Sequence, residues 1–485
     1  MKIKRLFVSS EVVPFAKTGG LADVSSALPK AFKELGEDVK VVMPRYYCIN
    51  RDNLEKLPMP LGVDMGYMGQ LWAGVYKSYL PNSNVEIYFI DYELFFGRDG
   101  LYNQNNIDYD DNDIRFIFFS KAALQLAKAL NFQPDIIHTN DWHTASIPIL
   151  LKTSMQNDPF FNKTSTILTI HNLEHQGVFS KRVIELLNIS WDYFKPEILE
   201  VYDGVNLLKG GIYFADAITT VSKKYAQEIQ TPEYGFGLDE HIKAHSYKLK
   251  GILNGVDYSE WNPKIDPYIA KNYDLENIED KIECKRDLQK YFNLPQRDDV
   301  ALIGFIGRFA KQKGIELIAS CLRGFLDLDI QIVMLGSGEE WAQNLFSQTA
   351  FSNRDKFACY IGYNNPLAHK IEAGCNIFLM PSLFEPCGLN QIYSLRYATL
   401  PLVRATGGLD DTIENYNPNT KEGVGFKFYD ATPNALYNTL KWAIDTYYNN
   451  KEDFKLMQKR AIQKRYSWID SAKEYQEISK KILKG

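Results

Sequence analysis

The chain has 485 residues, a length that normally divides between two domains, because one hydrophobic core rarely serves more than about 250–300 residues. Its 45% hydrophobic and 24% charged residues are typical of a globular protein. A formal net charge of −5 argues against a nucleic-acid-binding protein, since such proteins carry a strongly basic surface.

Cysteine usage and apolar runs bear on the compartment. The six cysteines are scattered without a CxxC pair, which argues against a zinc site or a disulfide framework and favours a reducing compartment. The N-terminus leads directly into a predicted strand without a secretory leader, and no apolar run approaches the ~20 residues of a membrane span. We therefore expect a soluble cytoplasmic protein with no nucleic-acid or membrane partner.

Residues 17–24 (KTGGLADV) join the first predicted strand, residues 3–10, to a helix predicted over residues 21–35. The two adjacent glycines let backbone N–H groups turn towards a bound anion at the start of the helix, and Lys17 adds an ammonium group. The segment therefore predicts an anion-binding site. An ordinary strand-to-helix turn is the alternative, because short glycine motifs often arise by chance.

Short β-rich runs alternate with helical patterns in both halves of the chain, which predicts α/β structure with parallel sheets. In the first half the runs cover residues 3–8, 39–43, 135–139, 166–170 and 217–221. After a polar stretch near residues 257–298 they resume at residues 300–306, 331–335, 375–380 and 400–403. We therefore expect two doubly wound units that bind ligands beyond the carboxyl ends of their strands. The final segment, from about residue 459, predicts a helix that either closes the second unit or returns to the first.

Polar side chains follow two of the predicted strands in the first half. Residues 138–143 (HTNDWH) place the Asp141 carboxylate at a strand end, where it suits sugar hydroxyls with Trp142 packing below. The two histidines of this segment invite a metal site, but a turn between them does not give the i,i+4 spacing of helical ligand pairs. His171 closes the next strand, where it is either structural or faces a ligand and exchanges one proton. This edge predicts sugar binding rather than metal binding.

The second half repeats the strand-to-helix design with more charge. Residues 307–314 (GRFAKQKG) bring Arg308 and Lys313 to a strand exit, where a guanidinium and an ammonium suit two phosphate groups. A solvated basic turn is the alternative. The segment EPCGLN begins with Glu385, which suits a polyol, and its glycine offers N–H groups to phosphate. Asn254 begins a turn at the seam between the halves, a place that suits a hinge or a cleft.

Taken together, these segments resemble the family of bacterial glycogen synthases and plant starch synthases. The resemblance extends in family order over nearly the whole chain, and the motifs KTGG and EPCGL are highly specific in combination. The segments that carry it are residues 17–24 (KTGGLADV), 140–143 (NDWH), 170–173 (IHNL), 252–257 (ILNGVD), 261–263 (WNP), 307–308 with 312–314 (GR, QKG), 381–382 with 385–389 (PS, EPCGL), 400–403 (LPLV) and 406–409 (TGGL).

The resemblance implies the GT-B fold, in which two Rossmann-like α/β domains face each other across a deep cleft. Residues 1–253 would form the acceptor-side domain, residues 254–460 the nucleotide-sugar-binding domain, and residues 461–485 a C-terminal helix. The implied enzyme is a retaining hexosyltransferase of glycogen biosynthesis. It would transfer glucose from ADP-glucose to the non-reducing end of an α-1,4-glucan such as glycogen.

By matching position, the resemblance also implies roles for individual residues. Those implied to act in catalysis are Lys17, His171, Arg308, Lys313 and Glu385. Those implied to bind donor or acceptor are Lys17, Gly19, Gly20, Asp23, Tyr102, Asp141, Asn254, Gly362, Tyr363, Cys387, Gly388 and Leu389. Within this set, Arg308 and Lys313 would hold the diphosphate as ADP departs, and Gly362 and Tyr363 would bracket the adenine.

Neither a cofactor nor a metal ion is expected, because fixed cations can stabilise a diphosphate leaving group in place of a divalent ion. The nearest metal candidate is the acidic run at residues 110–113 (DDND), which we expect in an exposed loop. Retention without an evident opposed carboxylate nucleophile implies front-face attack, in which the departing phosphate takes the proton of the acceptor hydroxyl.

The chain departs from the family pattern at several positions that bear on acceptor preference and turnover. Asn140 stands where histidine is usual, Glu174 and His175 replace an alanine–aromatic pair, Asn390 replaces a threonine, and Tyr393 replaces the second glutamate of some relatives. Two other functions stay open. One is a glucan synthase of the same fold that prefers UDP-glucose, and the other is a glucan-binding protein without catalytic activity.

Overall fold

The computed structural model describes residues 2–105 and 107–484, and contacts within the chain divide it into two units. Unit 1 comprises Met1–Gly255 and Trp468–Gly485, and unit 2 comprises Val256–Ser467. The boundaries thus follow Gly255 and Ser467, whereas the sequence places them after residues 253 and 460. Asn254 accordingly lies in unit 1. The predicted domain ends at Met1 and Gly485 lie outside the described residues.

Unit 1 contains a mainly parallel main sheet and several short strands outside it. Its strands are β1 (Lys4–Val8), β2 (Asp38–Pro44), β3 (Glu55–Lys56), β4 (Leu61–Asp64), β5 (Gln70–Tyr79), β6 (Glu86–Asp91), β7 (Asn103–Gln104), β8 (Ile107–Asp108), β9 (Ile136–Asn140), β10 (Ser165–Ile170), β11 (Val178–Phe179), β12 (Glu200–Val201), β13 (Gly204–Asn206), β14 (Ala217–Thr220) and β15 (Leu249–Gly251). The main sheet has the order β15-β14-β10-β9-β1-β2-β6-β5-β3, with β4 paired to β5. It is parallel from β15 to β6, and β5 adds an antiparallel edge. The central strands β1 and β10 are buried almost throughout, as expected when both faces of a parallel sheet are covered.

Helices follow most of the parallel strands of unit 1. Those before residue 256 are α1 (Gly20–Glu34), α2 (Glu93–Phe96), α3 (Asn112–Ala129), α4 (Asp141–Thr144), α5 (Ser146–Lys152), α6 (Arg182–Leu187), α7 (Leu207–Phe214), α8 (Lys223–Glu228) and α9 (Asp239–Ala244). The helix predicted over residues 21–35 corresponds to α1. Its buried residues Leu21, Val24 and Leu28 recur at helical spacing and form the face that packs into the unit.

Unit 2 is built on a parallel sheet in the order β18-β17-β16-β19-β20-β21. Its strands are β16 (Ala301–Ile306), β17 (Ile330–Gly336), β18 (Phe357–Ile361), β19 (Ile377–Met380), β20 (Leu400–Arg404) and β21 (Phe426–Phe428). This is the doubly wound order 3-2-1-4-5-6, in which ligands bind where the strand order reverses. The reversal lies between β16 and β19, so the carboxyl ends of these two strands define the expected binding edge of unit 2.

The helices of unit 2 cover its sheet, and one last helix returns to unit 1. Those of unit 2 are α10 (Lys281–Tyr291), α11 (Ile315–Asp327), α12 (Glu340–Ser352), α13 (Asn365–Gly374), α14 (Asn390–Arg396), α15 (Gly407–Thr412), α16 (Pro433–Asn449) and α17 (Lys451–Ala461). The helix predicted from about residue 459 is interrupted, because α17 ends at Ala461 and α18 (Trp468–Ile482) begins only at Trp468. No helix within the described ranges is long and apolar enough to cross a membrane.

Buried polar and aromatic contacts hold α18 in unit 1. The Arg5 guanidinium on β1 forms an ion pair with Glu37 and donates a hydrogen bond to the Ser479 hydroxyl at 2.8 Å. The ring of Tyr475 packs against Phe32 and His138. The C-terminal helix therefore completes the core of the unit that begins the chain.

Candidate active site

The strand order of unit 1 reverses at the pair β1 and β9, because β2 and β6 continue on one side and β10 on the other. Reversals of this kind open a crevice at the carboxyl ends of the strands, where ligands bind in doubly wound sheets. Residues 9–11 follow β1, Asn140 ends β9 and Asp141 follows it, so these residues lie at the expected binding edge.

Glu11 organises the loop of residues 17–20 from inside the protein. Its buried carboxylate accepts, through Oε2, the backbone N–H groups of Thr18 (2.5 Å) and Gly19 (3.2 Å). Oε1 accepts the hydroxyls of Thr18 (2.6 Å) and Tyr102 (2.6 Å). Two N–H groups of the predicted anion site are thus bonded to a carboxylate of the chain itself. Sequence reasoning missed Glu11, although a carboxylate directly after the first strand was the available signal.

Gly19 and Gly20 leave open space at this edge, but neither adopts the positive φ that glycine reaches more easily than other residues. Gly19 is extended, with φ of −150°, and Gly20 begins α1. A Cβ at either position would meet no heavy atom of the protein within 4 Å. The Lys17 ammonium lies 2.8 Å from the Asp23 carboxylate on the exposed side of the same loop. The loop therefore offers an open surface bordered by an ion pair.

Asp141 supports the turn after β10. Its backbone adopts φ of +53°, in the left-handed region, and its Oδ1 accepts the N–H groups of His171 (2.7 Å) and Asn172 (3.4 Å). Burial raises the pKa of the Asp141 carboxyl to about 7, although the two N–H bonds oppose this shift. Oδ2 of Asp141 accepts neither of these bonds and is therefore the oxygen available for the predicted contact with a sugar.

His171 lies beside Asp141 and keeps a neutral ring. Its Nε2 is 2.9 Å from the Oδ1 of Asn140, at the end of the neighbouring strand β9. Loss of hydration lowers the pKa of His171 to about 3. The imidazole is consequently uncharged near neutral pH and suits hydrogen bonding to a hydroxyl better than pairing with an anion.

Trp142 and the two histidines of residues 138–143 belong to the core. A Cβ at Gly177 would lie 2.5 Å from the Trp142 ring, and His143 stacks on this ring with the centroids 4.1 Å apart. His138 is fully buried and bonds to the Thr169 hydroxyl, and burial lowers its pKa well below the usual range. Trp142 therefore packs beneath the binding edge and not as an exposed platform for a sugar.

The acidic run at residues 110–113 is not the exposed loop that the sequence predicts. Asp113 is buried near the start of α3 and pairs with Arg182 at 2.6 Å. Both carboxylate oxygens of Asp111 accept hydrogen bonds from Arg98, at 2.7 and 2.6 Å. Within the part of the chain that the structure describes, no three His, Cys, Asp or Glu side chains group in a way that could hold a metal ion.

Tyr102 contacts the residues that follow β1, and Asn254 follows β15 in unit 1. The Tyr102 hydroxyl lies between Glu11 and the Ser10 hydroxyl (2.8 Å), and burial raises its pKa well above the usual range. Asn254 is buried and follows Leu253, whose carbonyl accepts a hydrogen bond from an α18 serine. Tyr102 thus acts on the loop through Glu11, and Asn254 lies where α18 joins unit 1.

A cavity of about 90 Å³ lies at the strand reversal of unit 2. Its lining residues are Phe305, Ile306, Gly307, Lys313, Met380, Ser382, Glu385, Gly388, Leu389 and Asn390. The structure therefore brings four of the predicted site residues together at the carboxyl ends of β16 and β19. These four are Lys313, Glu385, Gly388 and Leu389.

Lys313 and Glu385 form the charged centre of this cavity. The ammonium lies 2.7 Å from Oε2 of the buried carboxylate, which also accepts the Ser382 hydroxyl at 2.9 Å. Lys313 is partly exposed, so an anion that enters the cavity can share its ammonium with Glu385. Ser382 lies in the PS segment of the family pattern. No role could be predicted for it from the sequence, because its hydrogen bond to Glu385 depends on the turn between the two residues.

A tight loop places Lys313 beside the cavity. Gly314 has φ of +72°, and a Cβ there would lie 2.0 Å from the carbonyl oxygen of Pro381, so this position requires glycine. Arg308, earlier in the loop, is exposed and donates a hydrogen bond to Oε1 of Gln312 at 2.9 Å. Arg308 therefore lies outside the lining of the cavity in the described structure.

The segment EPCGLN forms part of the cavity wall and packs tightly against its neighbours. Gly388 has φ of +71°, Cys387 is buried, and a Cβ at Gly408 would lie 2.0 Å from the carbonyl oxygen of Cys387. The Asn390 amide donates to the carbonyl of Ile306 at 3.1 Å. This departure from the family threonine therefore ties the start of α14 to the end of β16.

Gly362 and Tyr363 follow β18 and do not line the cavity. Gly362 has φ of +133°, and the Tyr363 ring is 84% exposed. An exposed ring at the carboxyl edge of the sheet can stack on a flat base, as the predicted contact with adenine requires.

Two family models match the chain. The model described as the starch synthase catalytic domain matches residues 4–244, and the model described as glycosyl transferases group 1 matches residues 289–464. Glycogen synthase 1 of Geobacter metallireducens is 49% identical over 485 residues, which cover 100% of this chain and 97% of that protein. The glycogen synthase of Moorella thermoacetica is 45% identical over 484 residues, which cover 99% and 97%.

A solved structure shares the fold. The catalytic domain of starch synthase IV from Arabidopsis thaliana, bound to ADP and acarbose, matches with a TM-score of 0.91 at 30% identity, and 100% of each chain is covered. The predicted fold class, GT-B with two Rossmann-like domains, is confirmed by this match and by the strand orders of the two units.

Proposed function

This chain belongs to the glycogen synthase family and is a glycosyltransferase, and from that premise we propose that its donor is ADP-glucose and its acceptor the non-reducing end of an α-1,4-glucan. We propose further that the configuration at C1 is retained and that neither a metal ion nor another cofactor takes part. The observation that carries the proposal is the cavity at the strand reversal of unit 2, where Lys313, Glu385 and Gly388 meet.

The cations of the loop after β16 would stabilise the leaving group. Negative charge grows on ADP as its bond to C1 breaks, and positive groups already in place lower the barrier because they need no reorganisation. The Lys313 ammonium pairs with Glu385 at the wall of the cavity. Arg308 is exposed and bonded to the neutral Gln312, so its charge is free to meet an incoming phosphate.

Unit 1 would bind the transferred glucose and the acceptor. The open surface at Gly19 and Gly20, bordered by Lys17, supports close approach of a ligand. Asp141 and the neutral ring of His171 follow the neighbouring strands β9 and β10. In the proposed step, the acceptor hydroxyl attacks C1 on the face from which ADP leaves. The new C1–O bond replaces the bond to phosphate, and the hydroxyl proton passes to the departing phosphate oxygen.

The choice of nucleotide depends on the surroundings of Tyr363. Its exposed ring supports stacking on adenine, and the related starch synthase IV structure holds ADP. A uracil ring could also stack on a tyrosine, so the donor needs a direct test. The described cysteines form no disulfide, which supports action in a reducing compartment such as the cytoplasm.

Transfer of label into polymer tests the proposal. The purified chain is incubated with glycogen and either ADP-[¹⁴C]glucose or UDP-[¹⁴C]glucose, with and without excess EDTA, and the label in precipitated glycogen is counted. We expect label from ADP-glucose, undiminished by EDTA. Preference for UDP-glucose would overturn the donor, loss with EDTA that Mg²⁺ or Mn²⁺ restores would overturn metal independence, and no label under any condition would overturn the activity.

A matched pair of lysines tests the role of the cavity. Lys311 and Lys313 share one short 3₁₀ turn, but only Lys313 lines the cavity. We expect Lys313→Ala to lower turnover by ~10²–10³, the scale of a lost preorganised stabilising group. Arg308→Ala should act in the same direction, and Lys311→Ala should leave turnover unchanged. Near-normal turnover in both Lys313→Ala and Arg308→Ala would contradict the assignment.

A further inference from the structure

The side chain of Asn140 bridges two neighbouring strands at the binding edge of unit 1. It is fully buried at the end of β9, between β1 and β10 in the sheet. Its Nδ2 lies 2.9 Å from the carbonyl oxygen of Val8 at the end of β1, and its Oδ1 lies 2.9 Å from Nε2 of His171 beyond β10. The Thr144 hydroxyl accepts the Asn140 N–H (2.6 Å) and donates to its carbonyl (2.9 Å), which holds the backbone of Asn140 in place.

These contacts determine which ring nitrogen of His171 carries the proton. A carbonyl oxygen can only accept, so the Asn140 group that faces Val8 must be the NH₂. The amide oxygen of Asn140 then faces His171, and because this oxygen also only accepts, Nε2 of the imidazole must be the donor. A neutral imidazole has a single N–H, and Nδ1 of His171 is consequently left with its lone pair.

The surroundings keep this arrangement uncharged. Burial alone lowers the pKa of His171 to about 3, without a contribution from a charged neighbour. Titratable side chains that interact with His171 include Asp141, which bonds to its backbone N–H, and His138, whose own pKa burial lowers well below the usual range. Within the described residues Nδ1 has no hydrogen-bond partner, and the residue is partly exposed.

We propose that Asn140 is a positioning residue that selects the Nε2–H tautomer of His171, so that Nδ1 accepts a hydrogen bond from a hydroxyl of the transferred glucose. The assignment of the hydroxyl to glucose rests on the proposed function, whereas the tautomer does not. Asn140 therefore determines the direction of one hydrogen bond at the site: His171 accepts it from the sugar.

The tautomer is tested by nitrogen NMR without substrate. Long-range ¹H–¹⁵N spectra of the full chain labelled with ring-¹⁵N histidine separate protonated from unprotonated ring nitrogens, and the signal that His171→Gln removes is that of His171. We expect a neutral ring with the proton on Nε2 from pH 6 to pH 8. A proton on Nδ1, or a charged ring at pH 6, would overturn the proposal.

Two buried side chains of β9 provide a matched comparison. Asn140→Leu keeps the approximate volume but cannot bond to His171, whereas Thr139→Val removes a buried bond to the carbonyl of Ile167 (3.1 Å) one residue away. We expect Asn140→Leu to give a mixture of tautomers and to lower kcat by about 10- to 100-fold, the scale of a lost partner that orients an imidazole. Thr139→Val should change neither the His171 spectrum nor kcat.

The two readouts separate the possible failures. An Nε2–H ring in a chain that transfers no sugar would leave the tautomer standing and overturn the proposed function. Active transfer with a proton on Nδ1, or an Asn140→Leu chain with unchanged spectrum and unchanged kcat, would overturn the role of Asn140. If Asn140→Leu does not fold, the spectrum of the wild-type chain still shows which ring nitrogen of His171 carries the proton.

Discussion

Asp141→Asn should change the pH dependence of stability in unit 1. Burial raises the pKa of the Asp141 carboxyl from 3.8 to about 7. Between these values the folded chain binds more protons at this group than the unfolded chain, so the stability of the wild type falls as the pH rises. A pKa shift of about 3 units at 1.36 kcal/mol per unit lowers the free energy of unfolding of the wild type by about 4 kcal/mol. This loss is complete above pH 7 and nearly absent near pH 4.

Asparagine removes the titration but keeps the local geometry. Its Oδ1 can accept the same N–H groups of His171 and Asn172, and asparagine tolerates the left-handed backbone of position 141. We therefore expect the stability of Asp141→Asn relative to the wild type to increase by about 4 kcal/mol between pH 4 and pH 8. Any change that does not depend on pH cancels in this comparison.

The assay must separate the two units, because a chain of this kind does not unfold as one two-state system. Hydrogen exchange of the β9 and β10 amides in increasing urea, at pH 4 to 8, measures unit 1 alone. Asp216 is the control: it accepts the Thr166 N–H (2.8 Å) at the start of β10 and pairs with Lys152, so Asp216→Asn should not stabilise unit 1 at any pH. A difference between Asp141→Asn and wild type that stays constant with pH would refute the reasoning.

Three further substitutions, the first with a matched control, test other parts of the structure. Gly314→Ala should destabilise unit 2 by at least ~2 kcal/mol in urea unfolding, because the residue has positive φ and its Cβ would lie 2.0 Å from the Pro381 carbonyl, whereas Gly307→Ala has ordinary room and should cost little. Glu11→Gln should destabilise its loop by about 2 kcal/mol, since the four hydrogen bonds that the carboxylate accepts, two of them from backbone N–H groups, lose their charged acceptor. Unchanged exchange of these two amides would contradict this. Tyr363→Ala should weaken ADP binding in calorimetry by about 1–3 kcal/mol, the range of base–aromatic stacking, and equal affinity would remove Tyr363 from the nucleotide site.

The strands and the positions of the motifs could be predicted from the sequence. Each of the nine predicted β-rich runs corresponds to a parallel strand, because strands buried on both faces are short apolar runs that need no context to be recognised. The glycine- and charge-rich segments likewise fall at strand ends, where a parallel sheet binds its ligands. Among the strands that pair in parallel, β6, β15, β18 and β21 escaped prediction, and so did the break between α17 and α18.

The pairing of polar atoms was decided only by the tertiary structure. Glu11 accepts a hydrogen bond from the Tyr102 hydroxyl, 91 residues away, and Asn140 donates one to the Val8 carbonyl, 132 residues away. Periodicity and glycine content report local conformation and burial, whereas these contacts depend on which strands are neighbours in the sheet. The segments proposed to bind phosphate and sugar can therefore be predicted from the sequence. Which of their atoms are already bonded to the chain, and which are left for a ligand, follows from the strand order of the folded sheet.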